Sequence, residues 1–145
     1  MHDLPQGIKV LFVAGFGPVT TEQEASARLY RDVLSLPLRH EGGHEGYWYS
    51  QGMEGVKHFA LWPLEAAALS CFGEPRWPRH LPVPQAWLEF DVADIATASE
   101  ILEQNGYVLL TRLREEPWGQ TVTRFLSPEG ILMAITHTPF LRGPA

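Results

Sequence analysis

Residues 115–130, EEPWGQTVTRFLSPEG, decide how the chain is read. Pro117 and Gly119 flank Trp118, which puts a large aromatic at a bend rather than within a strand. Residues 120–126 are rich in β-branched and aromatic side chains, and Ser127-Pro128-Glu129-Gly130 forms a second turn. Residues 131–136, ILMAIT, then read as an almost wholly apolar strand. Two strands around a tight turn make a hairpin with a tryptophan at its mouth.

Outward from this hairpin, YVLLTRL (107–113) reads as a strand, and Asn105-Gly106 before it stops a helix. That helix starts at the cap Asp94 and carries Ile95, Ala98 and Leu102 on one face. QAWLEFDV (85–92) is a further strand. Upstream, residues 63–83 read as a linker: Leu64 to Phe72 suits a short helix, but Pro75, Pro78, Pro82 and Pro84 prevent regular structure around them.

The first half follows the same order. IKVLFVA (8–14) reads as a buried strand ending at the turn Gly15-Phe16-Gly17-Pro18. Pro18 and the missing third glycine speak against a nucleotide-binding loop. Thr21-Glu22-Gln23-Glu24 is a capping box with Thr21 as N-cap. Ala25, Leu29, Val33 and Leu34 recur at helical spacing, which predicts a helix to about Leu34. LPLRHEGGHEGYWYSQG (36–52) breaks into two strands joined at Gly42-Gly43, and GVKHFALWP (55–63) supplies another. The expected fold is α+β: two βαβββ modules, about 8–62 and 84–137, forming a curved mixed sheet around a cleft within one domain, 1–145.

Composition bounds the function. With 45% hydrophobic residues in 145, a real core is available. The net charge of −6 and eleven scattered basic residues exclude nucleic acid as the expected partner. Cys71 stands alone, so no disulfide framework is expected. No apolar run has the length of a membrane span, and the N-terminus lacks a signal-peptide pattern, so the chain reads as cytoplasmic.

Several motifs resemble the vicinal-oxygen-chelate superfamily of glyoxalases, bleomycin-resistance proteins and extradiol dioxygenases. ASARLYRDVLSLPL (25–38) resembles that family's first helix, with Ser35 in place of the usual glycine. VAD (92–94) matches the entry to its second helix, and LSPEG (126–130) its closing turn, with Ser127 in place of aspartate. EEPWGQ (115–120) is similar to the bleomycin-resistance-like branch. The resemblance implies a homodimer and, in the enzymes, a divalent metal held by inward side chains from the first and last strands of each half. Here Ala134 and Trp87 fall on two of those positions, the first strand offers no His, Gln or Glu, and only His58 is a ligand type. No metal or other cofactor is therefore expected; His58 with Glu89 is the alternative site.

What remains for the cleft is aromatic. The expected ligand-binding residues are Trp48, Phe59, Trp62, Trp87, Glu89, Trp118 and Arg124, with the choice between Arg124 and Phe125 left open by their opposite strand parity. Tryptophan offers a flat stacking face and one donor, which suits planar or cationic compounds. The expectation is a metal-free small-molecule binding protein that sequesters a hydrophobic or cationic aromatic compound. The alternatives are a lyase, isomerase or dioxygenase with a reduced metal site, and a module that binds a protein through exposed aromatics.

Overall fold

The computed structural model describes residues 7–41 and 44–142. Their strands are β1 (Val10–Thr20), β2 (Trp48–Ser50), β3 (Phe59–Pro63), β4 (Ala86–Val92), β5 (Thr111–Glu115), β6 (Thr121–Leu126) and β7 (Leu132–His137). They form a seven-stranded mixed sheet in the order β2-β3-β1-β4-β7-β6-β5. In each half the first strand pairs in parallel with the last, β1 with β3 and β4 with β7. The halves join where β1 and β4 run antiparallel. This is the expected α+β architecture of two βαβββ units. In the first unit the second strand shrinks to a single bridge, Arg39 with Tyr49. The expected hairpin turn at Gly42-Gly43 lies outside the described residues.

Three sequence expectations are corrected. First, β1 does not stop at Gly15: it continues as a strand to Thr20. The glycines there permit close approach instead of a turn. A Cβ on Gly15 would lie 2.6 Å from the His58 carbonyl oxygen and 2.9 Å from Cη2 of Trp87. One on Gly17 would collide with the Ala60 carbonyl and sit 3.0 Å from Nε1 of Trp87. The indole of Trp87 thus lies against a strand stripped of side chains.

Second, Thr21 is not the N-cap. The chain enters α1 (Gln23–Ala27) through Glu22, without a side-chain cap, and continues as a π-helical turn over Arg28–Val33. Ser35 then takes a left-handed φ of 56° where glycine would cost less. Third, β5 begins later than YVLLTRL suggests, with an irregular register between Thr111 and Arg114 and Leu113 at φ 52°.

The linker is also part of the core. Its helix α2 (Leu64–Phe72) ends at Gly73, φ 78°, and buries Ala67, Ala68 and Cys71 together with the later Trp77 against Trp87 and Leu132. A second cluster forms under α3 (Ile95–Gln104), where Ala98 and Leu102 meet Val92, Phe125 and Ile135. Asp94 caps α3 by accepting from the Thr97 amide at 3.1 Å.

Candidate functional site

The cleft side of the sheet is set by strand alternation. On β4, Trp87 and Glu89 point into the cleft while Val92 packs under α3. β6 divides in the same way: Arg124 lines the cleft, and Phe125 joins the α3 cluster. Thr123 on that far side meets Ser99 of α3, Oγ to Oγ, at 2.7 Å. The choice that the sequence left open between Arg124 and Phe125 is thereby made. With α2 over one end and the turn Pro139–Leu141 over another, these strands enclose a cavity of about 750 Å³. That volume matches a ligand of drug-like size.

The C-terminal wall is clamped from within the sheet. Asp91, fully buried, accepts from Thr136 Oγ1 (2.8 Å), the Thr138 amide (2.7 Å) and Arg142 Nε (2.8 Å). Arg142 also donates to the Val92 carbonyl at 3.0 Å. These bonds hold Phe140 and Leu141 at the cavity edge.

Arg124 is the deepest charge, 1% exposed. Its Nη1 donates to Ser70 Oγ at 2.6 Å and to Glu116 Oε1 at 3.1 Å, and its guanidinium lies 5.1 Å from the Trp62 ring centroid. Nη2 approaches Glu89 Oε2 at 3.8 Å. Ser70 Oγ donates in turn to Glu116 at 3.0 Å. A buried cation needs such compensation, and two carboxylates and an aromatic face supply it.

Glu89 Oε1 accepts from Gln120 Nε2 at 3.0 Å, and Gln120 also donates to Thr138 at 2.9 Å. Burial raises the Glu89 carboxyl above its ordinary range, opposed by Arg124 and Gln120. Across the cavity, His58 bonds to the Tyr47 hydroxyl at 2.8 Å and to Gln51 Nε2 at 3.0 Å. Burial lowers the His58 pKa to about 4, which leaves the imidazole neutral at pH 7. Burial, and after it the charge of Glu89, pushes the Tyr47 phenol up. Cys71 is pushed up to about 11 by burial and stays an unreactive thiol.

Of the seven expected ligand residues, Trp62, Trp87, Glu89, Trp118 and Arg124 line this cavity. Trp87 is 4% exposed and donates Nε1 to the Ala60 carbonyl at 3.1 Å. Trp118 is 53% exposed at the rim and donates to Gln120 Oε1 at 2.9 Å. Trp48 and Phe59 do not reach the cavity. Trp48 pairs with Leu61 and so faces away from the cleft, where its ring meets Arg31 at 4.6 Å. Phe59 is buried on that same far side, against Phe16 and Tyr30. Tyr47, Ser70 and Gln120 were not singled out by sequence reasoning, although period-two alternation places Gln120 on the same face as Arg124.

The donor set does not fit a metal ion. Trp87 offers no lone pair, its Nε1–H being donated to the Ala60 carbonyl, and both nitrogens of His58 are occupied by Tyr47 and Gln51. Glu89, the alternative partner, has Oε1 engaged by Gln120, and the Arg124 guanidinium 3.8 Å from Oε2 would repel a metal cation there. Among the described residues no three His, Cys, Asp or Glu side chains are grouped to hold a metal.

A family model described as the Glyoxalase/Bleomycin resistance protein/Dioxygenase superfamily matches residues 16–135. None of the curated proteins compared with the chain matches it. Among solved structures, a member of that superfamily from Vibrio splendidus 12B01 is 16% identical, with TM-score 0.58, covering 90% of this chain and 99% of its own. Methylmalonyl-CoA epimerase from Mycobacterium tuberculosis is 17% identical with TM-score 0.59, covering 97% of this chain and 96% of its own. A Streptomyces coelicolor methylmalonyl-CoA epimerase variant, in complex with 2-nitronate-propionyl-CoA, is 14% identical with TM-score 0.57, covering 94% and 100%. At these identities the likeness is one of fold.

Proposed function

We propose that this chain, which belongs to the Glyoxalase/Bleomycin resistance protein/Dioxygenase superfamily, is a metal-free small-molecule binding protein of the bleomycin-resistance-like kind. It sequesters a hydrophobic or cationic aromatic compound. The observation that carries this reading is the cavity itself. Trp62, Trp87 and Trp118 stand around a floor whose strongest polar groups are already paired with one another. Such a floor orients a ligand, while the groups a metal would need are already committed to protein partners.

The test is a titration of the full chain, freed of metal with EDTA, with N-methylquinolinium as a planar cation and naphthalene as a neutral plane. Saturable quenching of tryptophan fluorescence by at least one of them supports the reading. Linear, non-saturating responses to both contradict it.

The second reading is an enzyme of the same superfamily, a lyase, isomerase or dioxygenase, with His58 and Glu89 as a reduced metal site. Likeness to epimerase structures and a carboxyl raised by burial favour an enzyme, while the occupied His58 nitrogens oppose the metal. Stoichiometric zinc, nickel or manganese binding that disappears in His58→Ala would promote it over sequestration.

Assembly as a homodimer is part of the proposal. Val13 and Phe16 on β1 and Leu29, Val33 and Leu34 around the first helix remain exposed, and a second copy would remove them from water. No helix among the described residues is long and apolar enough to cross a membrane. A cytoplasmic location completes the proposal.

A further inference from the structure

The cavity floor has an uneven supply of hydrogen bonds, and the imbalance points to a ligand class. Trp87 Nε1 is committed to Ala60, Trp118 Nε1 to Gln120, and Gln120 Nε2 to Glu89 and Thr138. Arg124 Nη1 and Ser70 Oγ close on Glu116. Arg124 Nε is buried without a partner and closed off from the cavity; among the groups that the cavity reaches, two matter for a ligand. Glu89 Oε2 has only the long 3.8 Å approach of Arg124 Nη2, and its side chain keeps 13% exposure.

The second is the Tyr47 hydroxyl. Gln51 Nε2 can only donate, so His58 Nδ1 accepts and the ring proton of the neutral imidazole sits on Nε2. Nε2 then donates to Tyr47 Oη at 2.8 Å, and the Tyr47 proton is left to point elsewhere. Tyr47 and Glu89 line the same cavity, one from each half of the sheet. An unsatisfied acceptor and an unsatisfied donor facing one space select against ligands that cannot pair with both.

We propose that the cleft selects flat aromatic compounds carrying a hydrogen-bond donor beside an acceptor on one edge, as a lactam does, with the donor on Glu89 Oε2 and the acceptor on Tyr47. This inference rests on the cavity being a ligand site, and it adds which edge of the ligand is read. A purely stacking pocket would accept any planar compound of the right size. This one discriminates by the edge.

The experiment is calorimetric titration of the full chain with three probes: 2-quinolone, its N-methyl derivative, and naphthalene. A hydrogen bond to a carboxylate discriminates by about tenfold or more. 2-Quinolone is therefore expected to bind about tenfold tighter than either control. Tyr47→Phe is expected to weaken 2-quinolone by about two- to tenfold while leaving naphthalene unchanged. Equal affinities for the three probes would overturn the inference and leave the cleft standing as a stacking site. A Tyr47→Phe variant that weakens naphthalene as much as 2-quinolone would also overturn it, since Tyr47 would then only shape the pocket. Absence of saturable binding by all three would remove both the inference and the sequestration reading.

Discussion

The two halves share an order of elements and differ in how firmly local sequence specifies them. In the second half Asp94 caps α3, and Gly106 accepts φ 89° at its end. In the first half the N-cap Glu22 makes no side-chain cap bond, the helix widens into a π-turn, and Ser35 is forced to φ 56°. The first helix is held by the sheet it packs on, where Tyr30 reaches Phe59, more than by its own signals. The cleft shows a parallel division. The second half supplies Glu89, Glu116 and Arg124, while the first supplies neutral Tyr47, His58 and Trp62. One wall carries the buried charge, and the opposite wall carries flat or uncharged groups apart from the exposed carboxylate of Glu41. The lesson is that a duplicated fold can hold a polarised site when only one copy carries the buried ions.

The largest effect should come from removing the cation of the charged wall. Arg124→Met leaves Glu89 and Glu116 buried beside each other without their common partner, and should cost about 3–5 kcal/mol of stability. Urea denaturation measures it, and a loss below about 1 kcal/mol would mean the ionic wall is already well hydrated.

The uncharged wall should respond to pH instead. His58 has a folded pKa of about 4 against an ordinary 6.5. The unfolded chain takes up a proton on this ring below pH 6.5, and the folded chain does so only near pH 4. Stability from this group is thus fully present above pH 6.5, falls as pH drops to about 4, and is flat below, by at most about 3 kcal/mol. The stability difference between the protein and its His58→Gln variant should shrink across that window. A difference independent of pH would show that His58 is not held neutral.

Much of this was legible in the sequence, and the failures have particular causes. The hairpin of β6 and β7, the helix over Leu64–Phe72 and the cap at Asp94 follow from local chemistry, which a sequence displays. The glycines of β1 were misread because their reason is Trp87, seventy residues away, and a glycine before a proline looks like a turn from nearby. Phe59 and Trp62 were both placed in the cleft although they differ in strand parity, so alternation alone could have separated them. The same argument separates Trp48 from Tyr47 and Tyr49. Ser70 gave no local signal, since it reaches Arg124 from what reads as a proline-rich linker.

Smaller changes sharpen the contrast between the helices. Asp94→Ala should destabilise by about 1 kcal/mol, whereas Thr21→Ala, which removes no cap, should stay within about 0.5 kcal/mol. Ser35→Gly should add about 1 kcal/mol by relieving the left-handed φ. Thermal unfolding of the three variants ranks them. A Thr21→Ala loss equal to that of Asp94→Ala would restore the capping box that the structure lacks.

The most direct test of the central claim is the dissociation constant of N-methylquinolinium for the protein and for Trp118→Ala, measured by calorimetry after EDTA treatment. Trp118 stands half-exposed at the cavity rim, so its loss should leave the melting temperature nearly unchanged. A stacking contact is worth roughly 0.5–1.5 kcal/mol, which predicts binding about two- to tenfold weaker in the variant. Unchanged affinity in Trp118→Ala, or binding that vanishes from both proteins when EDTA removes metal, would contradict the account.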